Sequence, residues 1–189
     1  MRFEYKYILD YLSVDQIETK LNLHPAGFRV AFPQRRITSI YFVDVSFSAA
    51  IDNINGSPNR IKYRIRWYDD FTFPLKVRLE QKIKKGLPGY KNVEKKIFSS
   101  REDFNTFINK INLQPVCVVS YLRNYLVSFS GGIRATIDKD IKYKKTIDDL
   151  FWVNDPKPIL EIKCTLDQLA ELESVVDALK LRRHKNSKY

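Results

Sequence analysis

Polar and apolar residues alternate along positions 2–9, 35–43, 60–68, 75–84 and 90–98, and a period of two marks a strand with one face turned to a core. Asn-Gly-Ser-Pro at 55–58 and Lys-Gly-Leu-Pro-Gly at 85–89 supply the turns between them, which predicts antiparallel hairpins. Two stretches switch to helical spacing. Ser13 stands before Val14, Ile17 and Leu21 in a run that Pro25 and Gly27 end. Ser99 or Ser100 precedes Asp103, with Phe104, Phe107, Ile108 and Ile111 on one face; a polar cap before an apolar stripe is a helix start. Beyond Pro115 the pattern predicts strands at 116–128, 132–138 and 141–144, and then Ile159 to Cys164. A final helix carries Leu166, Leu169, Leu172, Val176 and Leu179 as its stripe. The expected architecture is α+β: an antiparallel β-barrel tunnel of about eight strands flanked by helices, in a single domain over 1–189. Closure would remove the exposed strand edges.

Composition narrows the partners. A chain of 189 residues, 44% hydrophobic and 13% aromatic, is large enough for one ordinary core and too hydrophobic for disorder. Its net charge of +11 points to phosphate-bearing partners. No window reaches the roughly 18 apolar residues of a membrane span, and the first residues lack a signal peptide's apolar run; a cytoplasmic chain is expected, with a membrane-bound partner left open. Cys117 and Cys164 are the only cysteines, and His24 and His184 the only histidines, so no local zinc constellation forms. A metal would be held by carboxylates, which favours magnesium or manganese.

The charges themselves alternate. Arg60, Lys62, Arg64 and Arg66 fall on one face of their strand, opposite Ile61, Tyr63, Ile65 and Trp67. Glu4 and Lys6, Arg78, Glu80 and Lys82, Arg134, Thr136 and Asp138, and Glu161 and Lys163 repeat that arrangement on four more strands. A wet strand face usually mixes signs and carries Ser, Thr or Gln; faces this rich in Arg and Lys suit a polyanion.

Six short segments in unbroken order then show a resemblance: Arg-Ile-Arg-Trp-Tyr at 64–68, Leu-Glu-Gln-Lys at 79–82, Tyr-Leu-Arg at 121–123, Arg-Ala-Thr-Ile-Asp at 134–138, Leu-Glu-Ile-Lys at 160–163 and Lys-Asn-Ser-Lys-Tyr at 185–189. The chain resembles the polyphosphate polymerase (VTC) domain of the CYTH-like triphosphate tunnel metalloenzymes. That resemblance implies a barrel tunnel with a basic lumen and a Mn2+ or Mg2+ ion. It implies catalytic roles for Arg64, Arg66, Lys82, Arg123 and Arg134. Phosphate contacts would come from Lys6, Lys95, Tyr121, Lys185, Ser187 and Lys188, with Arg60 and Lys62 nearer the mouth. Lys96 competes with Lys95 for its place. Glu161 would hold the metal, with Glu4 and Glu80 as further carboxylates. Arg2 stands where related CYTH proteins carry the first glutamate of Glu-x-Glu-x-Lys, which favours the polymerase branch, and a stand-alone or bacterial-type member is expected.

The expected partners are ATP or another nucleoside triphosphate and inorganic polyphosphate or triphosphate. Phosphoryl transfer needs neutralised non-bridging oxygens and an aligned acceptor more than a protein nucleophile. A tri- or polyphosphatase in the same tunnel, and a polyphosphate-binding module without turnover, are the alternatives. Nucleic acid is disfavoured because Tyr63 and Trp67 alternate away from the charges, where stacking platforms would have to be exposed.

Overall fold

The computed structural model describes residues 2–86 and 89–182. Its elements in chain order are β1 (Arg2–Ile8), α1 (Val14–Leu23), β2 (Arg29–Val43), α2 (Ser48–Ile54), β3 (Asn59–Tyr68), β4 (Leu75–Lys85), β5 (Tyr90–Phe98), α3 (Arg101–Lys110), β6 (Gln114–Val127), β7 (Arg134–Lys144), β8 (Val153–Asp155), β9 (Ile159–Thr165) and, after a 3-10 turn, α4 (Leu169–Leu179). The α+β antiparallel class is as expected. Hydrogen-bonded neighbours run β1-β9-β7-β6-β2-β3-β4-β5, with β8 beside β7. This path has two ends, at β1 and β5. The closed ladder expected from the sequence is therefore corrected to an open one among the described residues.

Local chemistry explains the element ends. Ser13 and Gln16 form a reciprocal capping box at the start of α1, which satisfies two N-terminal amides at once. At its other end His24 accepts the Ala26 amide through Nδ1 at 3.1 Å, so this histidine is structural. Ser100 caps α3 through the Asp103 amide.

The described chain divides into two compact units, one of residues up to 35, 121–141 and from 154 onward, the other of 36–120 and 142–153. In the first, Tyr7, Ile17, Leu21, Ile137, Leu160, Ile162 and Leu172 are buried in one cluster that joins α1 and α4 to the apolar faces of β1, β7 and β9. In the second, Ile40, Ile65, Trp67, Val77, Phe98 and Phe104 form the core. Burying a side chain of this size contributes about 1.5–3 kcal/mol. Each core takes the apolar alternate positions of its strands, so the intervening charged positions are left on the opposite face.

Candidate functional site

In the second unit, register turns the cationic alternation into rows across strands. Arg60 lies opposite Lys84, Lys62 opposite Lys82, Arg64 opposite Glu80 and Arg66 opposite Arg78. One strand further, Lys82 pairs with Lys91, Glu80 with Val93 and Arg78 with Lys95. Two rows of three cations, Lys62-Lys82-Lys91 and Arg66-Arg78-Lys95, therefore flank one row that contains Glu80. Paired strands lie about 5 Å apart, and like charges directly opposed are destabilising without a counter-ion.

Glu80 supplies part of that counter-charge. It is 4% exposed; Arg64 Nε donates to its Oε2 at 2.5 Å and Lys91 Nζ to its Oε1 at 2.7 Å. Arg64 also sends Nη1 to the Tyr41 hydroxyl at 3.2 Å, and Arg66 Nε donates to Ser39 Oγ at 3.1 Å. Burial alone would raise the Glu80 carboxyl, but Arg64, Arg66 and Lys91 outweigh it and hold the group at about 2, below its ordinary 4.5. A depressed carboxylate stabilises the fold above its unfolded value and loses that contribution as pH falls through its folded value. Wild type should accordingly lose about 3 kcal/mol relative to Glu80→Gln between about pH 5 and pH 2. Denaturant unfolding of both proteins across that range checks it; a constant difference between them would contradict it.

In the first unit the charged faces of β1, β9 and β7 come together. Lys6 is opposite Glu161, and Glu4 opposite Lys163; across β9, Glu161 is opposite Thr136 and Lys163 opposite Arg134. Both glutamates share both lysines. Lys6 Nζ is 3.1 Å from Glu4 and 3.8 Å from Glu161, Lys163 Nζ is 3.5 Å from Glu4, and Lys163 pairs closely with Glu161. Glu161 is buried, and although burial favours its neutral form, Lys163, Lys6 and Arg123 keep it ionised, at about 2. Arg123 grips the fully buried Asp138 with two bonds, Nε to Oδ1 at 2.5 Å and Nη2 to Oδ2 at 2.7 Å. Its guanidinium lies 5.1 Å from the ring of the buried Tyr121.

Among the described residues no group of three or more His, Cys, Asp and Glu side chains could hold a metal. Mg2+ commonly takes one or two carboxylates and completes its shell with water and substrate phosphates. Glu4 and Glu161 supply two carboxylates, 3.1 and 3.8 Å from the same Lys6 Nζ, the number such an ion needs from the protein. Beside them the buried Thr136 Oγ1 has no hydrogen-bond partner, an orphan that an added oxygen ligand would satisfy. Glu80 belongs to the other unit and is held in its own ion pairs with Arg64 and Lys91.

The expected residues thus gather in two places. Arg60, Lys62, Arg64, Arg66, Lys82 and Lys95 share one face of β3–β5, although Arg60 is also tied to the preceding turn through the Gly56 and Ser57 carbonyls at 3.3 and 2.6 Å. Lys95 belongs to this face, whereas Lys96 lies on the other side, 4.3 Å from the Phe107 ring. Glu4, Lys6, Tyr121, Arg123, Arg134 and Glu161 belong to the other unit. Lys185, Ser187 and Lys188 lie outside the described residues. Lys91 and Lys163 were missed as site residues, though Lys91 and Lys95 already stand four apart on one strand. Cys117 and Cys164 are free thiols, and burial pushes Cys117 up to about 11, which leaves it unsuited to nucleophilic chemistry.

Comparison with known proteins gives the family and the fold. The family model of the VTC domain matches residues 1–106 and 89–189. The chain belongs to the VTC domain family. Among solved structures it is similar to PH1819 protein from Pyrococcus horikoshii OT3 at 16% identity, with a TM-score of 0.63 over 99% of this chain and 95% of that one. An adenylate cyclase candidate from Vibrio parahaemolyticus shows 12% identity and a TM-score of 0.59 over 99% and 94%. The adenylyl cyclase candidate HpAC1 from Hippeastrum, described as revealing a dominant triphosphatase activity, shows 13% and 0.54 over 100% and 93%. These likenesses show that the chain shares the fold of those proteins. No curated protein matches the chain. Among the described residues no helix is long and apolar enough to cross a membrane.

Proposed function

We propose that this chain is a phosphotransferase that makes inorganic polyphosphate from the γ-phosphate of ATP. The observation that carries the reading is the pair of three-cation rows on β3–β5, in which like charges face one another across two successive strand pairings. A single phosphate would satisfy one row, whereas a linear chain of phosphates has a repeat of charge to match several. In the reaction a terminal oxygen of the phosphate chain bonds to the γ-phosphorus of ATP, the bond from that phosphorus to the β–γ bridging oxygen breaks, and ADP leaves. Arg64 and Arg66, fixed by Glu80, Tyr41 and Ser39, hold charge in place without having to reorganise, the arrangement that lowers a charged transition state most. Lys62, Lys82 and Lys95 neutralise non-bridging oxygens. Arg123 spends Nε and Nη2 on Asp138 and has further N–H donors for a phosphate.

Glu4 and Glu161 would hold the Mn2+ or Mg2+ ion, which when bound neutralises phosphate oxygens and orients the triphosphate. The triphosphatase activity stated for the Hippeastrum protein favours a second reading, in which water takes the place of the chain oxygen. Purified protein incubated with ATP and MnCl2, with and without a short polyphosphate primer, separates them. Chains longer than triphosphate are expected on gels. Release of orthophosphate without chains would assign the hydrolase, and binding without consumption of ATP would leave a polyphosphate-binding module.

A further inference from the structure

The face of β3 turned away from the cationic rows carries a second basic site. Thr38 pairs with Trp67 and Ser39 with Arg66, so by strand alternation Thr38 and Trp67 point opposite to Arg66. There a cavity of about 240 Å³ opens, lined among others by Arg36, Thr38, Ser120, Arg101, Lys142 and Trp152. Arg36 Nη1 donates to Ser120 Oγ at 3.3 Å, and Thr38 Oγ1 to the same oxygen at 3.1 Å. Both hydroxyl residues are buried. Lys142 and Lys144 are two apart on β7 and converge on one ring, their ammoniums 5.1 and 4.8 Å from the centre of Trp152.

Two cations drawn to one ring repel each other. Lys144 is committed to the loop after it, donating to the Ile147 and Asp149 carbonyls at 2.5 and 3.0 Å; burial, joined by Arg101, lowers its affinity for its proton despite Asp149 and Asp148 nearby. Arg101 pairs with Asp148 and sits 4.9 Å from the Phe71 ring. The acids that line the cavity, Asp69 and Asp70, are exposed to solvent, where water screens them. Cationic side chains, hydroxyl groups and an aromatic wall therefore line one small open space. At about 30 Å³ per water the space holds about eight waters' worth of volume, enough for orthophosphate or pyrophosphate with some hydration, and it opens to solvent, so a phosphate carried on a larger molecule can also reach it.

We propose that this cavity binds one phosphate group, of inorganic phosphate or pyrophosphate or at the end of a nucleotide, through Lys142, Arg36 and Arg101 with the Thr38 and Ser120 hydroxyls, as a site separate from the cationic rows. The chain contains two tryptophans, and both Trp67 and Trp152 line the cavity, so intrinsic fluorescence reports on it directly. Orthophosphate, pyrophosphate and ATP are each titrated into the full chain at constant ionic strength in a phosphate-free buffer. A saturable tryptophan response is expected that persists in Lys82→Gln/Lys95→Gln, weakens about tenfold or more in Lys142→Gln, and survives in Lys142→Arg. Should Lys142→Gln fail to fold by circular dichroism, Arg36→Gln provides the same test. A response to the inorganic anions alone assigns the free ions, and one to all three assigns the phosphate group wherever it is carried. The proposal is overturned by no response to any anion, by a response to ATP alone, or by one lost in Lys82→Gln/Lys95→Gln and unchanged in Lys142→Gln.

Discussion

Replacing Arg123 with alanine should cost the fold about 3–5 kcal/mol, the largest loss expected of any single charged residue in the first unit. Asp138, its partner, has no solvent exposure, and both carboxylate oxygens accept from the one guanidinium. Without Arg123 that carboxylate stays buried with no fork to hold it, and must either remain charged in a poor dielectric or take up a proton at a large cost in pKa. A chain of this size shifts its Tm by roughly 2–4 °C per kcal/mol, so a drop of about 10 °C or more is expected in calorimetry. The paired replacement Arg123→Met/Asp138→Leu separates the ion pair from its burial, because exchanging both partners for apolar groups of similar volume is often close to neutral. If Arg123→Ala unfolds within about 0.5 kcal/mol of wild type, the magnitude of an ordinary surface change, the Arg123–Asp138 pair does not anchor the site.

The strand faces were legible in the sequence because a period of two needs no knowledge of the partner strand. Val77, Ile137, Leu160 and Ile162 are buried where alternation put them, and Arg64, Arg66 and Lys82 share the opposite face. What alternation could not supply was register. Which groups face Glu80 depends on β3 and β5 sliding to one particular alignment; that alignment sets Arg64 across from it and brings Lys91 within reach. Lys91 was overlooked for the same reason.

Other elements left weaker traces. Pro33 cannot donate a ladder hydrogen bond, so β2 read as starting at 35 although the strand begins at Arg29. Helix α2 follows Phe47 in a left-handed conformation with no side-chain cap, and so lacks the polar start signal. Two strands were expected where β7 is continuous; Asp140, with φ of 50°, marks the bend between them. The cavity beside Trp152 draws on β2, β3, β6 and β7, and residues as distant as Thr38 and Lys142 meet only once those strands are in register.

Glu161→Gln is the change expected to reduce turnover most, by two to three orders of magnitude in kcat, about 2.7–4 kcal/mol of lost transition-state stabilisation. The carboxylate is ionised and buried between Lys6, Lys163 and Arg123, so its charge both orders those cations and, with Glu4, provides the oxygen donors suited to a divalent ion. Glutamine keeps the shape and one carbonyl acceptor but removes the charge. The lysines retain Glu4 as a counter-ion, at 3.1 and 3.5 Å, so the fold should suffer less than in Arg123→Ala. Measuring the Mn2+ dependence of turnover together with triphosphate binding by calorimetry tells catalysis from occupancy. A variant that binds triphosphate within about threefold of wild type, yet turns over slowly at every Mn2+ concentration, places Glu161 in the chemistry. Full turnover at the wild-type Mn2+ requirement would take Glu161 out of the metal site, while loss of triphosphate binding with kcat preserved would make it a positioning residue for Lys6 and Lys163.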